Sequence, residues 1–216
     1  MLWSRWLKSG ADLLTFQKEY ERLAGNPLDM AYMQRSRVRG YFTTAGEMLA
    51  GFIICSEGPL RYYSWLSPED RLPRLSDRMQ PIDFVEITCI WMNKGRIHPF
   101  TRGQVYLESI VFAALHGKPA VLGGTFVEAV RRQQMDVMTY PFRQGYTDFR
   151  GQSNKFWLYY GRREFMLPLL MKLCTEYAIE AGTRHRRALL RRFSGQPVHD
   201  AVKDGKKNNE ARSANH

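Results

Sequence analysis

The stretch FVEITCIWMNKGRIHPFTRGQVYLESIVFAALHG, Phe84 to Gly117, constrains this chain more than any other. Phe84 to Met92 is rich in β-branched and aromatic residues and reads as a strand. A short basic, glycine-bearing loop follows. From Gln104 to His116, Leu107, Ile110, Val111, Ala114 and Leu115 recur at spacings of three and four, predicting a helix with one buried stripe that ends at Gly117-Lys118-Pro119. A strand that feeds a helix through a short loop commits the chain to a sheet covered by helices. Within the strand stands a lone acid, Glu86.

The flanking segments extend this pattern. SGADLLTFQKEYERLAGNP has a capping-box spacing from Ser9 to Asp12 and places Leu13, Phe16, Tyr20 and Leu23 at helical intervals before Gly25-Asn26-Pro27 stops it. RVRGYFTTAGEMLAGFIICSEGPLRYYSWLS holds three β-rich runs, broken at Ala45-Gly46 and at Glu57-Gly58-Pro59, and reads as a meander. Pro68 to Pro81 reads as a loop. AVLGGTF is a short strand, VEAVRRQQMDVM a helix, KFWLYYG a strand, and LPLLMKLCTEYAIEAG a last helix with Pro168 in its first turn and Gly182 at its end. The predicted order is α, β-β-β, β, α, β, α, β, α. This is an α/β (α+β) fold built on a mixed, mostly antiparallel sheet flanked by helices.

Composition narrows the setting. The longest uninterrupted apolar run is the eight residues MLAGFIIC, well short of the roughly 20 a helix needs to cross a bilayer. MLWSRWLKSG lacks the apolar stretch of a secretory signal. Cys55, Cys89 and Cys174 are odd in number and far apart, which predicts free thiols and a reducing, cytoplasmic setting. The five histidines lack the close pairing of zinc sites, so no metal is expected. Of the net charge of +11, the segment from Thr183 onward carries +6, nine Lys/Arg against three acids. Residues 1–182 are therefore expected to be one domain, and 183–216 a basic, partly disordered tail that could hold nucleic acid phosphates by counterion release.

FVEITCIWM running through a loop into GQVYLESIVFAALHG, followed by AVLGGTF, a helix and the RQGY element, resembles the GNAT (N-acetyltransferase) superfamily over roughly Val38 to Tyr160. The resemblance implies that the strand before the loop splays from its neighbour, and that the loop amides and helix start bind the pyrophosphate of acyl-coenzyme A. The chain would then transfer an acyl group to an amine. Two departures stand out. The superfamily's loop has Arg or Gln, two residues, Gly, one residue, then Gly or Ala, and NKGRIHPFTRGQ does not contain it. The tyrosine usually four residues before the glycine of a GF or GY element is here Tyr140, five before Gly145.

Individual residues support more than one reading. Glu86, if buried, could be a general base for the attacking amine, because burial raises a carboxylate's pKa toward neutrality; otherwise it shares a solvent-facing side with Thr88. Arg96, Arg102, Gly103 and Gln104 are the expected donor-binding residues, with arginine supplying bidentate phosphate contacts and Gly103 a close backbone approach. The resemblance would make Tyr140 the acid for the leaving thiolate; packing is the alternative. Cys89, which strand alternation places opposite Glu86 and Thr88, is expected in the core. Tyr62, Tyr63, Trp65, Trp157, Tyr159 and Tyr160 form two aromatic runs that could line an acyl or acceptor pocket. Competing with the acyltransferase are a nucleic-acid-associated protein, either a binder or a modifying enzyme, and a catalytically inactive interaction module.

Overall fold

The computed structural model describes residues 2–65, 81–149 and 152–176. The chain divides into two compact units, 1–170 and 171–216. Of the second, the described residues 171–176 are helical. The expected loop from Pro68 to Pro81 lies almost wholly outside the described residues, as do the helix end at Gly182 and the basic tail.

Among the described residues, seven strands form one sheet in the order β1-β2-β3-β4-β5-β7-β6. They are β1 (Trp3–Leu7), β2 (Arg37–Phe42), β3 (Met48–Cys55), β4 (Phe84–Met92), β5 (Ala120–Thr125), β6 (Tyr140–Phe149) and β7 (Gln152–Arg162). Among these strands only β4 and β5 pair in parallel, and the other described pairs are antiparallel. This is the mixed, mostly antiparallel sheet that the sequence predicts.

Helix α1 (Gly10–Ala24) forms as its caps dictate. The Ser9 side chain accepts from the Asp12 amide at 3.1 Å, and Gly25, in the left-handed region at φ 65°, donates to the Glu21 carbonyl at 2.8 Å. Leu13, Phe16 and Tyr20 are buried, whereas Leu23 is 39% exposed, so the buried stripe ends one turn early. The Phe16 ring crosses β3 at Gly51, where a Cβ would stand 2.4 Å from it, and meets Trp91 of β4 edge-on at 5.7 Å between centroids. Helix α2 (Met30–Gln34) starts under an Asp29 cap and buries Tyr32 and Met33 on the same face of the sheet.

Three further elements differ from expectation. Trp3–Leu7 is a strand that pairs with β2, although it is too short and charged to announce itself. The third β-rich run, around Arg61 to Trp65, is instead a short helix, α3 (Arg61–Ser64). Its aromatic residues favour a strand, but two of its backbone N–H groups bond to a buried carboxylate, and that tertiary contact overrides propensity. Tyr140–Phe149 is a strand hairpinned to β7, extending the sheet by one strand beyond the predicted set.

Helix α4 runs Pro99–Ala114, starting five residues earlier than its apolar repeat suggests. Its buried side is Val105, Ser109, Ile110, Ala113 and Ala114, while Leu107 and Leu115 are 36% and 60% exposed; the stripe is rotated from the predicted one. Tyr41 of β2 donates to Glu108 at 2.7 Å and Arg39 meets the same carboxylate at 3.3 Å, tying α4 to the face of the sheet opposite α1. Helix α5 (Glu128–Met135) follows β5, and the last helix begins at residue 163, four before its predicted start. Among the described residues no helix is long and apolar enough to cross a membrane. All three cysteines are free.

Candidate active site

Strands β4 and β5 pair through only three positions: Phe84 with Ala120, Val85 with Val121, and Glu86 with Leu122. Beyond these, among the described residues, β5 pairs only with β7, and β4 only with β3. A cavity of about 400 Å³ lies where they part. Thr88, Cys89 and Ile90 of β4 and Gly124 and Thr125 of β5 form its two sides. Tyr20 and Leu23 of α1, Tyr62 and Trp65 at α3, Tyr106 of α4 and Gln134 of α5 close it. Exposed Leu23, out of place on a buried stripe, is thus accounted for as a cavity wall.

A bulge shapes the β4 side. Ile53 pairs with Thr88 and Gly51 with Trp91, so Cys89 and Ile90 together oppose Phe52 alone. Cys89 takes up the extra residue with φ 51°, a conformation uncommon for any residue but glycine and asparagine. The bulge corrects the expected facing of Cys89. Strict alternation would place it opposite Thr88, but its sulfur lies 3.6 Å from the Thr88 hydroxyl, in the cluster that contains Phe16 and Tyr20. Burial pushes the Cys89 thiol pKa up, which keeps it protonated and weakly nucleophilic.

Glu86 is fully buried, and both of its oxygens are committed. Oε1 accepts from the Tyr62 amide at 2.6 Å; Oε2 accepts from the Arg61 amide at 2.9 Å and the Tyr32 hydroxyl at 2.7 Å. Helix α3 has no side-chain cap of its own, and Glu86 takes that place from across the sheet. Burial raises the Glu86 pKa while the three donors and the nearby Arg61 charge pull it back. The expected solvent-facing alternative does not hold, because Glu86 and Thr88 both point into the core. Glu86 is not among the residues lining the cavity.

The remaining expected residues are scattered. Tyr140 stacks on Tyr160 at 5.1 Å and 14°, beneath the Arg162 guanidinium, away from the cavity walls. Arg96 makes a two-pronged ion pair with Glu47 of the β2–β3 turn, its Nη2 donating to Oε2 at 2.7 Å. Arg102 and Gly103 lie in the first turn of α4 and not in a loop; Arg102 Nε donates to the Ile97 carbonyl at 3.1 Å, and Gly103 faces open space. Gln104 donates to Glu108 at 2.8 Å. Of the aromatic runs, Tyr62 and Trp65 line the cavity, while Trp157 and Tyr159 line a separate hollow of about 300 Å³ beside α5. Tyr20, expected on the apolar stripe of α1, and Tyr106, which no sequence signal singles out, bring two more phenols to the cavity.

Comparison with solved structures places this arrangement. The chain superposes on a candidate phosphinothricin N-acetyltransferase with a TM-score of 0.51 at 10% identity, covering 75% of this chain and 98% of that one. An N-acetyltransferase from Staphylococcus aureus Mu50 gives 0.50 at 13% identity, covering 76% and 99%. A candidate acetyltransferase, yncA, from Salmonella typhimurium, solved with its cofactor acetyl-CoA, gives 0.51 at 10% identity, covering 75% and 94%. No family model matches the sequence, and no curated protein matches it. The fold is that of the GNAT N-acetyltransferases.

Proposed function

We propose that this chain transfers an acyl group from acyl-coenzyme A to an amine, with the thioester lying between β4 and β5. The parting of these strands over a 400 Å³ cavity, with a bulge at Cys89 on one side, carries the reading. A bulge leaves backbone groups out of the ladder, and an N–H so released is a ready donor to the oxyanion that forms when an amine attacks a thioester carbonyl. The acceptor approaches from the end walled by Tyr20, Tyr62 and Trp65. In this reading Glu86 is a fixed acceptor that holds α3 in place, since both of its oxygens are taken by Tyr32 and the backbone of α3 and it does not line the cavity where the amine would attack. Tyr106, half-buried on the cavity wall, is better placed than Tyr140 to meet the leaving thiolate.

Native mass spectrometry of the purified protein with acetyl-coenzyme A and longer acyl-coenzymes A tests the reading. Retained donor is expected, together with a raised Tm; a ligand at 100 times its Kd adds about 2.7 kcal/mol. No retention and no shift at any chain length would remove the donor and with it the proposed reaction.

A further inference from the structure

The end of the cavity beneath α1 carries polar groups that the fold itself leaves unused. Asn26, just past the Gly25 cap, lines the cavity and is only 9% exposed. Its Nδ2 donates to the Tyr20 hydroxyl over a long 3.4 Å, and its Oδ1 is enclosed with no hydrogen-bond partner. A buried acceptor left unpaired destabilises a fold unless a ligand supplies the missing donor. Arg61, the first residue of α3, brings a second such group. Its Nη2 donates at 2.8 Å to the carbonyl of Pro27, the neighbour of Asn26, while its Nε is enclosed without a partner. The guanidinium lies 6.0 Å from the Tyr20 ring centroid and 5.2 Å from that of Trp65, two of the cavity walls. Glu86 is bonded to the backbone N–H of Arg61 and not to its guanidinium. The Arg61 charge also reaches the bulge: after burial it is the largest influence on the Cys89 thiol, whose pKa it draws down against the rise.

We infer that the amine acceptor is an α-amino acid, its carboxylate held by Arg61 and its amino group by Asn26 Oδ1, beside the bulge at Cys89. The inference rests on the acyl-transfer reading and supplies its acceptor class. A guanidinium offers a planar fork of donors that matches a carboxylate, and an amide oxygen accepts from an amino group. The Arg61–Pro27 bond draws Arg61 and Asn26 together, and both have Tyr20 as a neighbour, so the two groups they bind must be close in the ligand, as they are on one Cα. In the transfer the nitrogen lone pair forms a C–N bond to the thioester carbon and the C–S bond breaks. Of the two protons the ammonium gives up, one goes to the thiolate and one to solvent.

L-Leucine, L-phenylalanine and L-glutamate, each beside its α-amide and the amine lacking the α-carboxyl group, test this by titration calorimetry of the whole chain with coenzyme A present. At least one amino acid is expected to bind about 10- to 100-fold more tightly than its α-amide, the worth of a charge-assisted contact. Arg61→Gln is expected to bring that ratio to about twofold or less, and Arg61→Lys, which keeps the charge without the fork, to recover part of it. Asn26→Ala is expected to weaken amino acid and amide alike by about tenfold and leave their ratio unchanged. A variant that merely folds less well lowers Tm and weakens both ligands together, so the ratio reads the Arg61 contact apart from stability. An amide or simple amine that binds as well as its amino acid overturns the inference and turns attention to acceptors such as peptide N-termini, leaving acyl transfer standing. A ratio that survives Arg61→Gln overturns it as well. Binding by none of these probes also overturns it, and donor retention in native mass spectrometry then shows whether acyl transfer falls with it.

Discussion

Glu86 has two oxygens and three donors, and that arithmetic separates a structural carboxylate from a catalytic one. In Glu86→Gln the amide NH₂ replaces one oxygen, so in either orientation at least one backbone N–H of α3 faces another N–H. Leaving a buried donor unpaired costs about 1–3 kcal/mol. For a chain of this size each kcal/mol moves Tm by roughly 2–4 °C, so a fall on the order of 4–8 °C is expected in a differential scan. Turnover per folded molecule should fall less than about tenfold, against the 10²- to 10⁴-fold that loss of a general base typically brings. An unchanged Tm with a loss of that larger size would restore Glu86 as the base. Cys89 offers a second residue-level test, because its φ of 51° penalises branching at Cβ. Cys89→Val should unfold at lower denaturant than Cys89→Ala although valine fills more of the site, by about 1–3 kcal/mol. The reverse order would mean that the bulge relaxes at no cost.

At the scale of elements, the sequence was most legible where local signals and tertiary demands agree. The Ser9 and Gly25 caps fix α1 at both ends, and the apolar run of β4 gives Phe84–Met92 to the residue. It was least legible where a distant group decides: α3 depends on a carboxylate 25 positions away from Arg61, and β1 on pairing with β2. The site suffered in the same way. Glu86 could be singled out as a lone acid in a strand, but its three donors come from two other helices, and the bulge that turns Cys89 toward Thr88 has no signature in FVEITCIWM. Gly51, by contrast, looks incidental in MLAGFIIC and proves necessary. A Cβ there would stand 2.6 Å from the Arg39 carbonyl oxygen and 2.4 Å from Phe16, so neither strand β2 nor helix α1 can make room independently. Gly51→Ala should cost about 1–3 kcal/mol, read as a lower denaturant midpoint; a neutral effect would show that α1 sits loosely on the sheet. Helix α5 supplies a pH-dependent case. Arg131 and Arg132 hold Glu128, at the first position of a helix without a side-chain cap, down to a pKa of about 2. Because the folded value is depressed, the stabilisation is full above the ordinary carboxylate value of 4.5 and is lost as pH falls toward 2. Amide exchange in α5 should quicken over that window in the wild type, and Glu128→Gln should exchange fast throughout; equal protection in both would make these exposed ion pairs inconsequential.

For the whole molecule the open question is charge. The chain carries +11, and residues from Thr183 onward hold +6 of it, with Arg184, Arg186, Arg187, Arg191 and Arg192 grouped within nine positions. Nothing in acyl transfer requires that excess, and a basic segment of this kind can either bind phosphate backbones or serve only as a solvated end. Deleting everything after Gly182 distinguishes them. If the segment contacts nucleic acid, the full chain should bind generic duplex DNA or RNA at low salt and the truncated chain should lose most of that affinity, while keeping its Tm and its affinity for acyl thioesters. The lost part should also be the salt-sensitive part, with a log-log slope of about −0.9 per duplex phosphate neutralised, so that raising salt on the full chain reproduces the deletion. Filter binding of both chains across a salt series reads affinity and slope together. Equal binding with equal slopes would place any nucleic acid contact within residues 1–182, and no binding by the full chain at low salt would leave the cavity between β4 and β5 as the candidate functional surface to pursue.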